Sequence, residues 1–131
     1  MGLFEQYQEE MKNDTTFDAT TVTEYQMKLP AIKHKWAARL INTKIALRSK
    51  ESLLWRARKT LMDKGLTDAK VKLTKIAISN NIEDHDTILK IKEQIEEDKL
   101  LVEYLEKSEK ILSSITYDIK NLTELMKLEQ L

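Results

Sequence analysis

A shortage of turn-forming residues constrains this fold more than any other feature of the sequence. The 131 residues include only two glycines and one proline, which are Gly2, Gly65 and Pro30. A protein built from many short strands needs many tight turns, and glycine and proline supply most of them. We therefore expect a mainly all-α protein that folds as a single domain over residues 1–131. With 34% charged and 41% hydrophobic residues it can bury only a modest core, which favours oligomerisation.

The helical spacing of apolar residues divides the chain into an arm and two long helices. Residues 1–16 predict a short amphipathic N-terminal helix, which we interpret as a docking arm. A long basic helix is predicted over residues 20–64, bent near Pro30. Gly65 would end it, because glycine readily adopts the left-handed conformation that follows many helices. Another long helix is predicted over residues 86–128 and completes a helical hairpin.

The segment between the long helices has a less clear pattern. Residues 71–78 partly alternate between apolar and polar side chains, as in a short strand, whereas the flanking lysines also suit a helix. Both structures remain open at this stage. We interpret Asp84, His85 and Asp86 as the start of the next helix rather than a metal site, with Asp86 or Thr87 as its N-cap.

Each long helix carries a narrow apolar stripe. On the first, the stripe spans an arc of about 80° at 100° per residue and consists of Ile32, Trp36, Leu40, Leu47, Leu54 and Leu61. On the second, steps of four and three residues produce a heptad seam that Ser108 interrupts. We assign the apolar members of this seam to oligomerisation; they are Leu101, Leu105, Leu112, Ile115, Ile119, Leu122 and Met126. Both stripes must be buried, and we expect Trp36 to lie in the core.

Charge is segregated along the chain, although the formal net charge is zero. Residues 1–27 carry one lysine and six acidic residues, a net charge of −5. Residues 28–64 carry eleven Lys and Arg and two acidic residues, a net charge of +9. Residues 65–131 carry ten basic and fourteen acidic residues, a net charge of −4. A cationic block between two acidic ones indicates an anionic partner more clearly than the total charge does.

Basic residues flank the stripe of the first long helix on both sides. One shoulder includes Lys35 and Arg39. The other spans about 60° and contains Lys44, Arg48, Trp55 and Lys59. Single-stranded nucleic acid requires cations for its phosphates and a flat ring for its bases, so we predict that these residues bind it. The alternative is that the cations only solvate the helix while Trp55 packs against another subunit.

No feature of the sequence indicates catalysis or a bound cofactor. Two distant glycines cannot form a phosphate-binding loop, and no spacing marks a nucleophile or a set of metal ligands. We therefore expect a non-enzymatic protein without metal or cofactor. The chain has no cysteine, and its longest aliphatic run, residues 100–102, is too short to span a membrane. These properties favour the cytoplasm.

Three groups of residues resemble the UvsY family of recombination mediators from large tailed phages. Near the amino terminus the similar residues are Leu3, Gln8-Glu9-Glu10, Lys12, Asp14 and Lys35-Trp36. In the centre, Trp55-Arg56-Ala57-Arg58 resembles a leucine-lysine-alanine-arginine motif assigned to single-stranded DNA binding. Towards the end the similar residues are Asp84, Asp86, Leu89-Lys90, Ile119-Lys120, Met126 and Glu129. The resemblance spans most of the chain.

This resemblance implies both an assembly and a function. It implies a ring-like homo-oligomer, a hexamer or heptamer, in which the carboxy-terminal helix takes part in assembly. It also implies a mediator that binds single-stranded DNA, contacts the phage single-strand-binding protein and helps to load a RecA-like recombinase in the host cytoplasm. The motif carries a DNA-binding role to Arg56 and Arg58.

The chain departs from the family motif after Arg58. The family continues with leucine, aspartate and tyrosine, whereas Lys59-Thr60-Leu61 follow here, so we assign base stacking to Trp55. Arg56 and Arg58 would also point about 160° apart on a regular helix. Either the helix frays before Gly65, or different strands or subunits use the two arginines.

A coiled-coil scaffold or adaptor without direct DNA binding is the alternative function. Its acidic ends would bind protein partners, and its basic middle would pair with those ends inside the oligomer.

Overall fold

Four α-helices make up the protein. The computed structural model describes residues 2–68 and 75–130, and no strand occurs among them. The helices are α1 (Leu3–Asp14), α2 (Val22–Asp68), α3 (Lys75–Glu83) and α4 (Asp86–Glu129). The expected all-α class, with a short first helix and two long ones, is confirmed.

Side chains close the turn between α1 and α2. The Thr16 hydroxyl donates to the Lys12 carbonyl oxygen at 2.6 Å, which satisfies an acceptor that the end of α1 leaves open. Asp18 Oδ1 accepts a hydrogen bond from the Thr21 N–H at 3.0 Å, immediately before α2 begins. Polar residues with short side chains thus stop one helix and start the next.

Gly65 does not end α2, contrary to our prediction. The helix continues to Asp68, and Gly65 has no positive φ. A Cβ atom on Gly65 would lie 3.0 Å from Ile78 Cγ2, so glycine serves here to let α3 approach α2 closely. The helix also continues through Pro30, at the cost of one backbone hydrogen bond. Fraying before Gly65 therefore does not explain the opposed directions of the two motif arginines.

The segment with the ambiguous pattern is helical where the structure describes it. Residues 75–78 belong to α3, which decides between the two open alternatives in favour of a helix there, and residues 71–74 lie outside the described residues. Ile78 and Ile82, which lie four residues apart on one face of α3, pack against α2.

The N-cap of α4 is His85, not Asp86 or Thr87 as predicted. His85 Nδ1 accepts a hydrogen bond from the Thr87 N–H at 3.1 Å, and the His85 carbonyl accepts one from the Leu89 N–H at 3.0 Å. An imidazole nitrogen here performs the task that a carboxylate or hydroxyl usually performs.

The helices pack into two units. The terminal unit contains the residues up to Asn42 and those from Leu101 onward, and the central unit contains residues 43–100. α2 and α4 each contribute a segment to both units. The core of the terminal unit combines apolar residues of α1, α2 and α4, namely Met11, Val22, Tyr25, Leu29, Trp36, Leu40, Leu105, Leu112, Ile115 and Ile119.

Most of the heptad seam of α4 lies inside this core, and its role in oligomerisation stays a prediction. Its buried members are Leu105, Ser108, Leu112, Ile115 and Ile119. Its half-buried members, which pack against the core, are Leu101, Leu122 and Met126. One chain thus covers the buried members of the seam, and only the half-buried members keep surface that a second copy could contact.

The central unit has a smaller core. Ile78 and Ile82 of α3 and Ile88 of α4 are buried there, and apolar residues of α2 pack against them. Full burial of one isoleucine side chain contributes about 1.5–3 kcal/mol, so these three residues supply much of the attachment of α3. The α2 residues that they contact are Leu54, Ala57, Leu61 and Met62.

Candidate nucleic-acid interface

Two of the predicted DNA-binding cations, Lys35 and Arg39, hold α1 against α2 within the terminal unit. Lys35 Nζ lies 2.6 Å from Asp14 Oδ2, and Arg39 Nη1 lies 2.7 Å from Glu10 Oε2. The hydrogen bond from Arg39 is the main reason that the pKa of Glu10 is lowered. Both cations are half-buried and neutralised by their own chain.

Aromatic rings complete this attachment of α1. Trp36 is fully buried, as predicted, and its Nε1 donates to Asp14 Oδ2 at 2.8 Å. The guanidinium carbon of Arg39 lies 4.5 Å from the centre of the Tyr7 ring and 4.8 Å from that of Trp36. Such cation–π contacts further stabilise the Arg39 guanidinium group, which the ion pair with Glu10 already holds in place. The docking arm therefore binds to its own chain, through the Lys35 and Arg39 shoulder.

A third predicted cation, Arg58, forms part of an ion-pair cluster in the central unit. Arg58 Nε lies 2.7 Å from Glu83 Oε1, and Arg58 Nη2 donates to Glu83 Oε2 at 3.1 Å. Lys92 of α4 pairs with the same carboxylate. Hydrogen bonds from Lys92 and from Arg58 lower the pKa of Glu83. Arg58 thus links α2 to α3, and its predicted role in DNA binding would compete with this ion pair.

The remaining predicted residues form what we call the exposed basic face: Arg48, Trp55, Arg56 and Lys59 of α2. Trp55 is 62% exposed, and Lys59 Nζ lies 5.3 Å from the centre of its ring. Within the described residues, none of the three cations forms an ion pair. Lys44 is half-buried and has an interaction of its own, so it does not belong to this face.

The exposed basic face combines the two chemical functions that a nucleic-acid strand requires. Unneutralised guanidinium and ammonium groups attract phosphates, and a solvent-exposed indole offers a surface for stacking. Lys59 above the Trp55 ring holds a cation and an aromatic surface together. The two motif arginines point in opposite directions and have different roles, since Arg56 lies on the exposed basic face and Arg58 pairs with Glu83.

The structure adds a groove that the sequence did not indicate. Its volume is about 330 Å³, and it is lined by Leu53, Arg56, Ala57, Thr60, Leu61 and Thr87. Thr87 belongs to the start of α4, whereas the other lining residues belong to α2. No local sequence signal could have identified the groove, because it depends on how two helices pack.

The described part of the chain contains neither a metal-ligand cluster nor a transmembrane helix. No group of three or more His, Cys, Asp or Glu residues among the described ones is arranged to hold a metal ion. Across the same residues, no helix is long and apolar enough to span a bilayer.

The fold is one that crystal structures have already shown. Three crystal structures of the bacteriophage T4 recombination mediator protein UvsY are similar to this chain, each at 19% sequence identity. For lattice types IV and II the TM-score is 0.83, with 98% and 99% of this chain and 99% and 98% of the other covered. For lattice type I the TM-score is 0.79, with 93% and 97% covered. At this identity the similarity establishes the fold.

Family membership follows from the sequence itself. Residues 10–130 match the family model described as recombination, repair and ssDNA binding protein UvsY. The chain therefore belongs to the UvsY family, which confirms the resemblance found in the sequence. Among curated proteins, none matches the chain significantly.

Proposed function

We propose that this protein is a non-enzymatic recombination mediator that binds single-stranded DNA through its exposed basic face. Membership of the UvsY family supports the mediator role. The observation that carries the DNA-binding proposal is the exposed Trp55–Lys59 pair, which lies on the same helix as the unpaired guanidinium groups of Arg48 and Arg56. The partners are single-stranded DNA, a RecA-like recombinase and a single-strand-binding protein.

The proposed mechanism is electrostatic attraction followed by stacking. Arg48, Arg56 and Lys59 neutralise phosphates, and a base stacks on Trp55 with little preference for its identity. A homo-oligomer, a hexamer or heptamer, would repeat the face and engage several segments of one strand. Held in this way, DNA covered by single-strand-binding protein becomes accessible to the recombinase.

The first test measures fluorescence anisotropy of labelled single-stranded DNA over a salt series. We expect affinity to fall steeply with salt, with a slope of about −0.7 for each phosphate that the protein neutralises. The triple variant Arg48→Glu, Arg56→Glu, Lys59→Glu should bind at least about ten-fold more weakly and show a shallower slope. The control Lys120→Glu reverses an exposed charge on α4 and should bind normally. Salt-independent binding, or unaltered affinity of the triple variant, would contradict the proposal.

The second test addresses recombinase loading. Filament formation by a RecA-like recombinase is measured on DNA covered with single-strand-binding protein, with and without this protein. We expect the wild type to shorten the lag before filaments form and the triple variant to leave it unaltered. An equal lag in all three reactions would remove the loading role and leave DNA binding in place.

The scaffold alternative is favoured by a specific observation, the neutralisation of several cations within the chain. Lys35 and Arg39 pair with α1, Arg58 pairs with Glu83, and Lys50 Nζ lies 2.8 Å from Asp98 Oδ2. A scaffold of this kind would bind no single-stranded DNA even at low salt. The anisotropy titration therefore distinguishes the two functions.

A further inference from the structure

The groove beside Arg56 lies at the edge of the exposed basic face. Arg56 belongs to both, because its exposed side chain also lines the groove. The apolar part of the lining comes from Leu53, Ala57 and Leu61. A guanidinium group at the edge of an apolar depression suits a ligand that is anionic at one end and apolar along its faces.

Two hydroxyl groups add a polar component to the lining. Thr60 of α2 and Thr87 of α4 are exposed and line the groove. A hydroxyl can both donate and accept a hydrogen bond, so it can satisfy the polar edge of any base without selecting one. The volume of about 330 Å³ is near the lower limit for small-molecule sites, which suits one planar ring system.

We propose that this groove binds one nucleobase of single-stranded DNA while the adjacent phosphate pairs with Arg56. The inference rests on the proposed function and makes it more specific, since it adds a base site distinct from stacking on Trp55. Charge favours this occupant, because a nucleotide places an anion next to a flat, largely apolar ring. An apolar peptide side chain would leave the Arg56 guanidinium without a counter-charge.

The experiment separates the groove from the indole by using Trp55→Ala as the background. Anisotropy is measured with an all-thymidine oligonucleotide and with an abasic oligonucleotide of the same length and charge. We expect the Trp55→Ala protein still to bind the thymidine strand roughly ten-fold more tightly, which is the scale of one base–protein contact. Filling the groove in this background with Thr60→Met and Thr87→Met should remove the preference and leave affinity for the abasic strand unaltered.

Methionine is chosen because it fills irregular gaps without presenting an aromatic surface to a base. It is also a better helix former than threonine, so both variants should fold, as circular dichroism would verify. Thr23→Met, at an exposed position of α2 in the terminal unit, is the matched control and should retain the preference.

The outcomes distinguish this inference from the proposed function. If the Trp55→Ala protein binds both oligonucleotides equally, or the filled groove retains the preference for bases, the inference is overturned while DNA binding stands. If the wild type binds neither oligonucleotide at low salt, the proposed function fails and the inference with it.

Discussion

The two tryptophans differ in environment, although both lie on α2. Trp36 is 0% exposed and donates to Asp14, whereas Trp55 is 62% exposed and contacts Lys59. Their angular positions around the helix already separate them, since Trp36 lies on the apolar stripe and Trp55 on a basic shoulder. One tryptophan therefore stabilises the core, and the other is available to a ligand.

Alanine substitution of each tryptophan should reveal this difference. Trp36→Ala should destabilise the protein by about 3–5 kcal/mol, because it opens a cavity in the terminal unit. Trp55→Ala should change stability by less than about 0.5 kcal/mol and weaken binding to single-stranded DNA by about 1–3 kcal/mol. Urea unfolding and anisotropy measure the two effects. Comparable loss of stability in both variants would contradict the assignment.

The sequence could not predict which cations are neutralised. Four cations lie on the same basic helix, namely Lys35, Arg39, Arg56 and Arg58, and only the fold decides that three of them meet carboxylates. Glu10 lies on another helix, and Glu83 follows a segment whose structure the sequence left open. Such partners are distant along the chain, so helical periodicity alone cannot detect them.

At the scale of the elements, long helices were predictable and their boundaries were less so. Apolar spacing identified α1, α2 and α4 because it repeats over several turns. Gly65 was misleading, since tertiary packing against Ile78 uses its small size within a continuing helix. The sequence left the segment of α3 undecided between strand and helix because it is short and its pattern fits two periods. Local signals are weakest where packing decides the outcome.

The stability that α3 gains from its ion pairs should depend on pH through Glu83, because hydrogen bonds from Lys92 and Arg58 lower the pKa of this residue. A carboxyl group whose pKa is lower in the folded than in the unfolded state stabilises the fold at pH values above its unfolded pKa, about 4.3. This stabilisation is lost as the pH falls through the folded-state pKa. Glu83→Gln should therefore lower the melting temperature at pH 7 by a few degrees, an effect below about 1 kcal/mol for a partly exposed pair.

The difference between Glu83→Gln and wild type should shrink as pH falls below about 4 and vanish in stronger acid. Thermal unfolding followed by circular dichroism between pH 7 and pH 3 provides the measurement. Glu93→Gln alters an exposed carboxylate of α4 and serves as the control. A difference that stays constant across this range would show that Glu83 acts through packing instead of charge.

At the scale of the whole molecule, assembly can use only the apolar side chains that remain exposed in the folded chain. Most of the seam of α4 is buried, but Ile111, Tyr117, Leu125 and Leu128 are exposed on the same helix. At 100° per residue these four side chains fall within about 120° of one another. A cluster of exposed apolar side chains on one side of a helix is typical of an interface.

Serine substitutions at Ile111, Leu125 and Leu128 should therefore weaken self-association and leave helix content unaltered. Sedimentation velocity measures the association state, and circular dichroism measures the helix content. Leu105→Ala is the contrasting variant, because it should lower stability by about 2–5 kcal/mol from within the core. If the serine variant sediments like wild type, the interface lies elsewhere.

The hydrogen bond of Ser108 affects how α4 aligns with the helix that packs against its seam. The Ser108 hydroxyl is fully buried and donates to the Tyr104 carbonyl oxygen at 2.9 Å, within its own helix. A buried polar side chain that must pair across a seam imposes an alignment on the opposite helix, but Ser108 imposes none. Alignment in the terminal unit therefore depends on the shapes of bulky residues such as Trp36. Ser108, the one polar residue of the seam, therefore fills space in the core and does not select the alignment of the opposite helix.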